Sequence, residues 1–113
     1  MTDMQTVVEL PEFIKRAKAI MSDDERSALI AVIAASPEAG VSLGGGLRKI
    51  RFARQGSGKS GGSRTIYVFG GVHMPIFLIT VFAKNEKDNL SKVEQKAAVE
   101  LSKKLIASYG ERS

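Results

Sequence analysis

The chain has 113 residues and a mass of 12.2 kDa, the size of one ordinary domain, and 43% hydrophobic against 26% charged residues supports one core and excludes a disordered chain. No run approaches the roughly 20 apolar residues that span a bilayer, and the lack of cysteine removes disulfides, thiolate metal sites and cysteine catalysis together. The net charge of +5 is uneven: residues 1–38 carry four basic and seven acidic side chains, residues 39–85 seven basic and none acidic, and residues 86–113 six basic and five acidic.

A positive field concentrated in this way attracts polyanions, nucleic acid first, at a rate that salt suppresses. An anionic membrane fits less well, because no basic amphipathic helix accompanies the charge. The stretch MTDMQTVVELPEF has neither a basic n-region nor an apolar h-region, so no export is expected and the cytoplasm is the expected compartment.

In chain order, Thr6–Leu10 is a β-branched run suited to a strand, and Pro11 fits the first turn of a helix continued by Phe13, Ile14, Ala17 and Ile20. Ser22 followed by Glu25 is a capping box that opens a second helix with Leu29, Val32 and Ile33 inward, ended by Ser36-Pro37. Gly40 and Gly44-Gly45-Gly46 then break regularity. Leu47–Arg54 alternates as a strand, with Ile50 and Phe52 marking the buried side and Lys49 and Arg51 together on the other, two strand residues or roughly 7 Å apart. A glycine-rich loop from Gln55 leads to a strand over Arg64–Phe69, and Ile76–Phe82, the most hydrophobic segment, is expected to be the central strand. A polar exit, Lys84–Asn89, precedes a second capping box, Ser91 and Glu94, and a C-terminal helix with the stripe Leu90, Val93, Ala97, Leu101 and Leu105 and a stop at Gly110. The expectation is one α+β domain over residues 1–113. It has an antiparallel-rich sheet of about four strands, an N-terminal helical hairpin and a C-terminal helix, in the order βααβββα.

The chemistry available is that of cations. The single histidine, His73, falls in a predicted turn and reads as a surface residue, so no histidine-based triad or metal site is assigned and no cofactor is expected. The tripeptide Gly58-Lys59-Ser60 belongs to no phosphate-binding loop, since GxxxxGK[ST] requires a glycine where Ala53 stands and the segment joins strand to strand. RNA, however, carries its own nucleophile. Its 2′-hydroxyl attacks the adjacent phosphate once its proton is removed, the charge on phosphorus is stabilised and the leaving 5′-oxygen is protonated. Arginines supply the second function by bidentate contact. A lysine with a lowered pKa can supply the first or third. Lys49, Arg51, Arg64 and Lys84, with Tyr67 nearby, form the candidate set. By themselves they describe a phosphate-binding sheet face more firmly than a nuclease. Around them, Arg48 and Arg54 share the parity of Ile50 and Phe52 and suit solvated or ion-paired roles as well as RNA contact. Tyr67 is a core residue or a substrate contact, and Lys59 is a solvated charge or a backbone contact from the glycine loop.

Three blocks, GGLRKIR, GKSGGSRTIYVF and FLITVFAKNEKDNLS, together resemble the RelE/ParE toxin superfamily of bacterial toxin–antitoxin systems, most closely its HigB-like RelE branch. The resemblance covers roughly residues 44–91. It implies a small RNase fold whose members cleave mRNA, in most cases in the ribosomal A site, and are neutralised by a small antitoxin, here expected to be a helix-turn-helix DNA-binding protein. By position, Lys49 and Arg51 match residues that hold substrate phosphates and assist proton transfer, Arg64 an arginine that stabilises the scissile phosphate, and Lys84 a lysine at the end of the last strand. Asn85 stands where some members have a catalytic arginine, and the C-terminal tyrosine or histidine of others has no counterpart near Ser91, so the general base is left between Lys49 and Lys84. The implied partners are the antitoxin, mRNA and the ribosome with its rRNA, without a membrane or a metal. The competing reading is a non-enzymatic one, a ParE-like gyrase inhibitor or a basic module that binds rRNA or protein.

Overall fold

The computed structural model describes residues 5–53 and 62–110. Strand β1 (Val7–Glu9) leads into helices α1 (Pro11–Ile20) and α2 (Asp23–Ala35), followed by strands β2 (Val41–Gly44), β3 (Leu47–Phe52), β4 (Ser63–Val68) and β5 (Ile76–Ala83) and helix α3 (Lys92–Gly110). This is the expected α+β architecture of a helical hairpin, a sheet and a C-terminal helix, with one more strand than the sequence pattern revealed. The sheet has five strands in the order β1-β5-β4-β3-β2; all its pairs are antiparallel except β1 with β5, which is parallel.

The unforeseen strand is β2. It is mostly exposed and pairs Val41 with Lys49 and Ser42 with Arg48, so it has no buried alternation to betray it. Gly44, Gly45 and Gly46 turn the chain between β2 and β3 with φ values of 101°, 60° and 89°, a left-handed run open to glycine alone. Ser102 of α3, fully buried, donates its hydroxyl to the Gly45 carbonyl at 2.6 Å, and a Cβ on Gly46 would collide with Ile106 Cδ1. The glycines therefore both make the turn and let α3 approach it.

The middle strand of the five is β4, not β5. Every residue of β4 is buried, because helices cover both faces of the sheet. On one face, Phe13 and Ala17 of α1 and Leu29 and Ile33 of α2 pack on Ile50, Tyr67, Ile76, Leu78 and Val81. On the other, Ala98, Val99, Leu105, Ile106 and Tyr109 of α3 pack on Leu47, Ile66, Val68, Phe77 and Phe82. Each large apolar side chain removed from water in this way contributes about 1.5–3 kcal/mol. The predicted α3 stripe is displaced by about one position: Leu90 and Leu105 pack inward, Ala98, Val99 and Ile106 join them, and Val93 and Leu101 are left 80% and 40% exposed. In α2, Ala34 rather than Val32 completes the buried side.

Both capping boxes form. Ser22 Oγ accepts from the Glu25 backbone N–H at 3.1 Å while Glu25 accepts from Ser22 N–H at 2.9 Å, and Ser91 and Glu94 repeat the pair at 3.1 and 2.8 Å, satisfying donors that a helix start otherwise leaves open. A bulge in β5 shapes the basic face more directly. The register steps from Ile66↔Thr80 to Tyr67↔Leu78, so one extra residue resets the alternation and places Phe82 on the α3 side, opposite Arg64.

Candidate anion-binding face

Strands β3 and β4 pair so that Arg51 lies directly opposite Arg64 and Lys49 opposite Ile66. With side chains alternating along each strand, Lys49, Arg51 and Arg64 occupy one face, the side of α3. Two guanidinium-bearing residues facing each other across an antiparallel pair repel, so the arrangement calls for an anion between them. Arg64 is only 3% exposed, although it is an arginine in the middle strand. Its Nε donates to Asp88 Oδ1 at 2.8 Å and its Nη1 to the Ser63 carbonyl at 3.2 Å. Lys49 Nζ donates to the Asn89 side-chain oxygen and, at 3.4 Å, to the Asp88 carbonyl. Arg51 is exposed, and its side chain makes no hydrogen bond among the described residues. The Asp88 carboxyl is held below the usual carboxylate range by its hydrogen bond from Arg64 and then by the charges of Arg64, Arg51 and Lys49. One carboxylate thus senses all three cations.

Asp88 and Asn89 come from the connection between β5 and α3, which the sequence pattern presents only as a polar exit. The burial of Arg64 supplies the only signal for them. A cation buried in a strand needs a counter-ion, and after the acid-free interval the next carboxylates are Glu86 and Asp88. The connection is fastened on both sides of Asp88. Glu86 and Lys87 N–H groups turn back to the Ala83 carbonyl at 3.0 and 3.2 Å, Arg16 bridges to Glu86 at 2.6 Å, and Lys87 bridges to Glu94 at 3.0 Å while lying 5.1 Å above the Phe82 ring. Glu94, gripped by the Ser91 backbone N–H and by Lys87, is lowered to about 2.

The remaining candidates divide. Lys84 and Asn85 are exposed in the turn that follows β5, and their side chains make no hydrogen bond among the described residues; the Lys84 backbone N–H donates to the Gly62 carbonyl at 3.1 Å, tying this turn to the start of β4. Arg48 and Tyr67, expected among the substrate contacts, are cross-strand partners on the opposite face from Arg64. Tyr67 is fully buried. Its hydroxyl donates to the Pro37 carbonyl at 2.7 Å and accepts from the Gly40 N–H at 3.2 Å, and burial pushes the phenol above its ordinary pKa against the opposing pull of Gly40 and Arg48. Arg48 donates to the Glu38 and Gly40 carbonyls at 3.0 and 2.5 Å. Together they clamp the connection between α2 and β2. A strand reverses sides at every residue, so Tyr67 cannot share a face with Arg64 three positions away. Arg54, Lys59 and most of the glycine-rich loop lie outside the described residues.

Beside Lys49 and Arg51 the surface forms a groove of about 330 Å³ lined also by Gly40, Val41, Leu43 and Ile50. Cations on the two strands, a groove at the sheet edge and an exposed lysine after β5 define a small basic α+β protein with a cationic sheet face. Residues 8–112 match the family model described as the RelE toxin of the RelE / RelB toxin–antitoxin system. The chain belongs to this family, a toxin of a toxin–antitoxin system, and the family implies an antitoxin as its partner. No helix among the described residues is long and apolar enough to cross a membrane.

Proposed function

We propose that this toxin is a HigB-like endoribonuclease, one domain over residues 1–113, that acts in the cytoplasm on mRNA held by the ribosome and so stops translation. The observation that carries the reading is the directly opposed pair Arg51 and Arg64 with Lys49 beside it. A fold gains nothing from facing two arginines across a strand pair unless an anion is to be held there. In the proposed reaction Arg64 and Arg51 hold the scissile phosphate and stabilise the negative charge that develops on its oxygens. Lys49 or Lys84 accepts the proton of the 2′-hydroxyl, the hydroxyl oxygen bonds to phosphorus, and the bond to the 5′-oxygen breaks as that oxygen is protonated, leaving a 2′,3′-cyclic phosphate. The chain's own cations supply the charge stabilisation, so no metal is invoked. Asn85, exposed at the exit of β5, is proposed to contact a neighbouring nucleotide. The antitoxin is proposed to be a helix-turn-helix protein.

Induction of the chain in a bacterium, with 5′-end mapping of cellular mRNAs, tests the reading. Codon-phased cuts that vanish in Arg64→Ala are expected. Intact mRNA together with inhibited DNA supercoiling by gyrase would overturn it in favour of a ParE-like inhibitor.

A further inference from the structure

The geometry points to Asp88 as an internal surrogate for the RNA phosphate: its carboxylate holds Arg64 at 2.8 Å on the face that Arg51 shares, and a phosphodiester must displace it to bind. The inference rests on the reading that this face receives RNA. It assigns Asp88 a role in setting affinity, which is distinct from the cation contacts themselves.

Three observations carry it. The guanidinium of Arg64 is 3% exposed whereas the carboxylate that meets it is 48% exposed, so the cation is embedded and the anion lies at the solvent side, where an incoming group arrives. A buried arginine without a counter-ion is strongly destabilising, which explains why the protein furnishes an anion of its own when no substrate is present. The acceptors also come from one short segment of chain, as the oxygens of a bound nucleotide would. The Asp88 carboxylate faces Arg64, and the Asp88 carbonyl and Asn89 amide oxygens face Lys49, so adjacent strands each receive oxygen from one short segment. Finally, the segment is pinned through Glu86 and Lys87 on one side and Ser91 and Glu94 on the other. Rotation of the Asp88 side chain alone vacates the seat, with no rearrangement of β5 or α3. A tetrahedral phosphodiester accepts the arginine fork at least as well as a carboxylate does, and once Asp88 has swung out its remaining exposure lets water solvate it.

An oligoribonucleotide carrying 2′-O-methyl groups throughout, which cannot be cleaved, is the probe. Asp88→Asn keeps the shape and an acceptor for Arg64 Nε while removing the competing charge. It is expected to bind the probe about tenfold more tightly than the wild type, with a slope of log K against log salt steeper by about 0.7, the increment for one further phosphate neutralised on a single strand. In an Arg64→Ala background the same substitution should gain less than threefold. Circular dichroism and melting of each variant report the fold, and titration of the wild type with dimethyl phosphate, followed at the Arg64 Nε–H resonance, reads the same displacement without a variant. Equal or weaker binding by a folded Asp88→Asn, or a resonance that does not respond to dimethyl phosphate, overturns the proposal and makes Asp88 an orienting partner of Arg64. Because the probe is uncleavable, binding is read apart from the chemistry: intact mRNA after induction of the wild type would remove the nuclease reading alone, whereas unchanged binding by Asp88→Asn would remove this one alone.

Discussion

The two faces of the β3–β4 pair each carry a partly or wholly buried arginine, and they treat it oppositely. On the α1–α2 side, Arg48 is answered by the backbone carbonyls of Glu38 and Gly40 and stands beside a tyrosine whose hydroxyl is spent on Pro37 and Gly40. Those partners belong to the main chain and leave only if the connection itself unfolds. On the α3 side, Arg64 gives one hydrogen bond to the Ser63 carbonyl, but the charge that answers it is a half-exposed side-chain carboxylate, that of Asp88. A cation held by backbone dipoles is part of the scaffold, whereas one held by an exchangeable anion is available to a ligand.

The strongest way to break this contrast is to exchange the outcomes. Arg64→Ala should lower RNA cleavage at least about 100-fold, the scale of losing one preorganised donor at a developing oxyanion, while Arg48→Met, assayed per folded molecule, should leave cleavage within about twofold. A larger loss in Arg48→Met would place that arginine at the site after all. Arg64→Lys should recover little, because an ammonium cannot offer the planar fork.

On the scaffold side the effects should be read in stability. Tyr67→Phe leaves the buried Gly40 N–H and the Pro37 carbonyl without their partner and should cost about 1–3 kcal/mol in denaturant unfolding. Gly40→Ala should cost a similar amount, about 1–3 kcal/mol, since the added Cβ would meet the Lys49 carbonyl oxygen at 2.6 Å and Tyr67 Oη at 2.7 Å. If either substitution abolished probe binding at full foldedness, the two faces would not be separable.

The faces should also fail at opposite ends of the pH scale. Tyr67 is raised in the fold, so the unfolded chain releases its proton first and stability falls as pH climbs above about 10. Asp88 and Glu94 are lowered, Glu94 to about 2. Their contribution is complete above the unfolded carboxylate values near 4 and is lost as pH falls towards 2. Melting temperatures measured from pH 2 to 11 should show Tyr67→Phe flattening only the alkaline limb and Glu94→Gln only the acid limb; the same limb responding to both would merge the two regions.

The smallest effect concerns Thr65, fully buried on the scaffold side with a hydroxyl that finds no partner among the described residues. Thr65→Val removes that unsatisfied group and should stabilise the protein by up to about 1 kcal/mol without changing cleavage. Destabilisation on that scale would show that the hydroxyl is in fact engaged.

Much of this was legible in the residues. Ser22 with Glu25 and Ser91 with Glu94 announce their helices because a capping box is closed within four residues. Lys49 and Arg51 announce a shared face because a strand alternates with a fixed period of two. What sequence reasoning missed was long-range. An exposed edge strand such as β2 has no periodic signal, since no buried side imposes one, and α3 turned by about one position because its docking on Gly45 and Gly46 through Ser102, rather than its own apolar count, set its orientation.

The amino-acid sequence by itself determined the types of the elements other than β2, the helix starts, the basic middle third and the alternation of side chains along β3 and β4, all consequences of local backbone geometry. Only the tertiary structure decided which strand is central, that Arg64 faces Arg51, that the bulge turns Phe82 to the same side, that Tyr67 belongs to the core, and that Asp88 answers Arg64 across 24 positions. Register, bulges and charge pairing are settled by packing between distant segments, and no local pattern encodes which of several available anions a buried cation will meet.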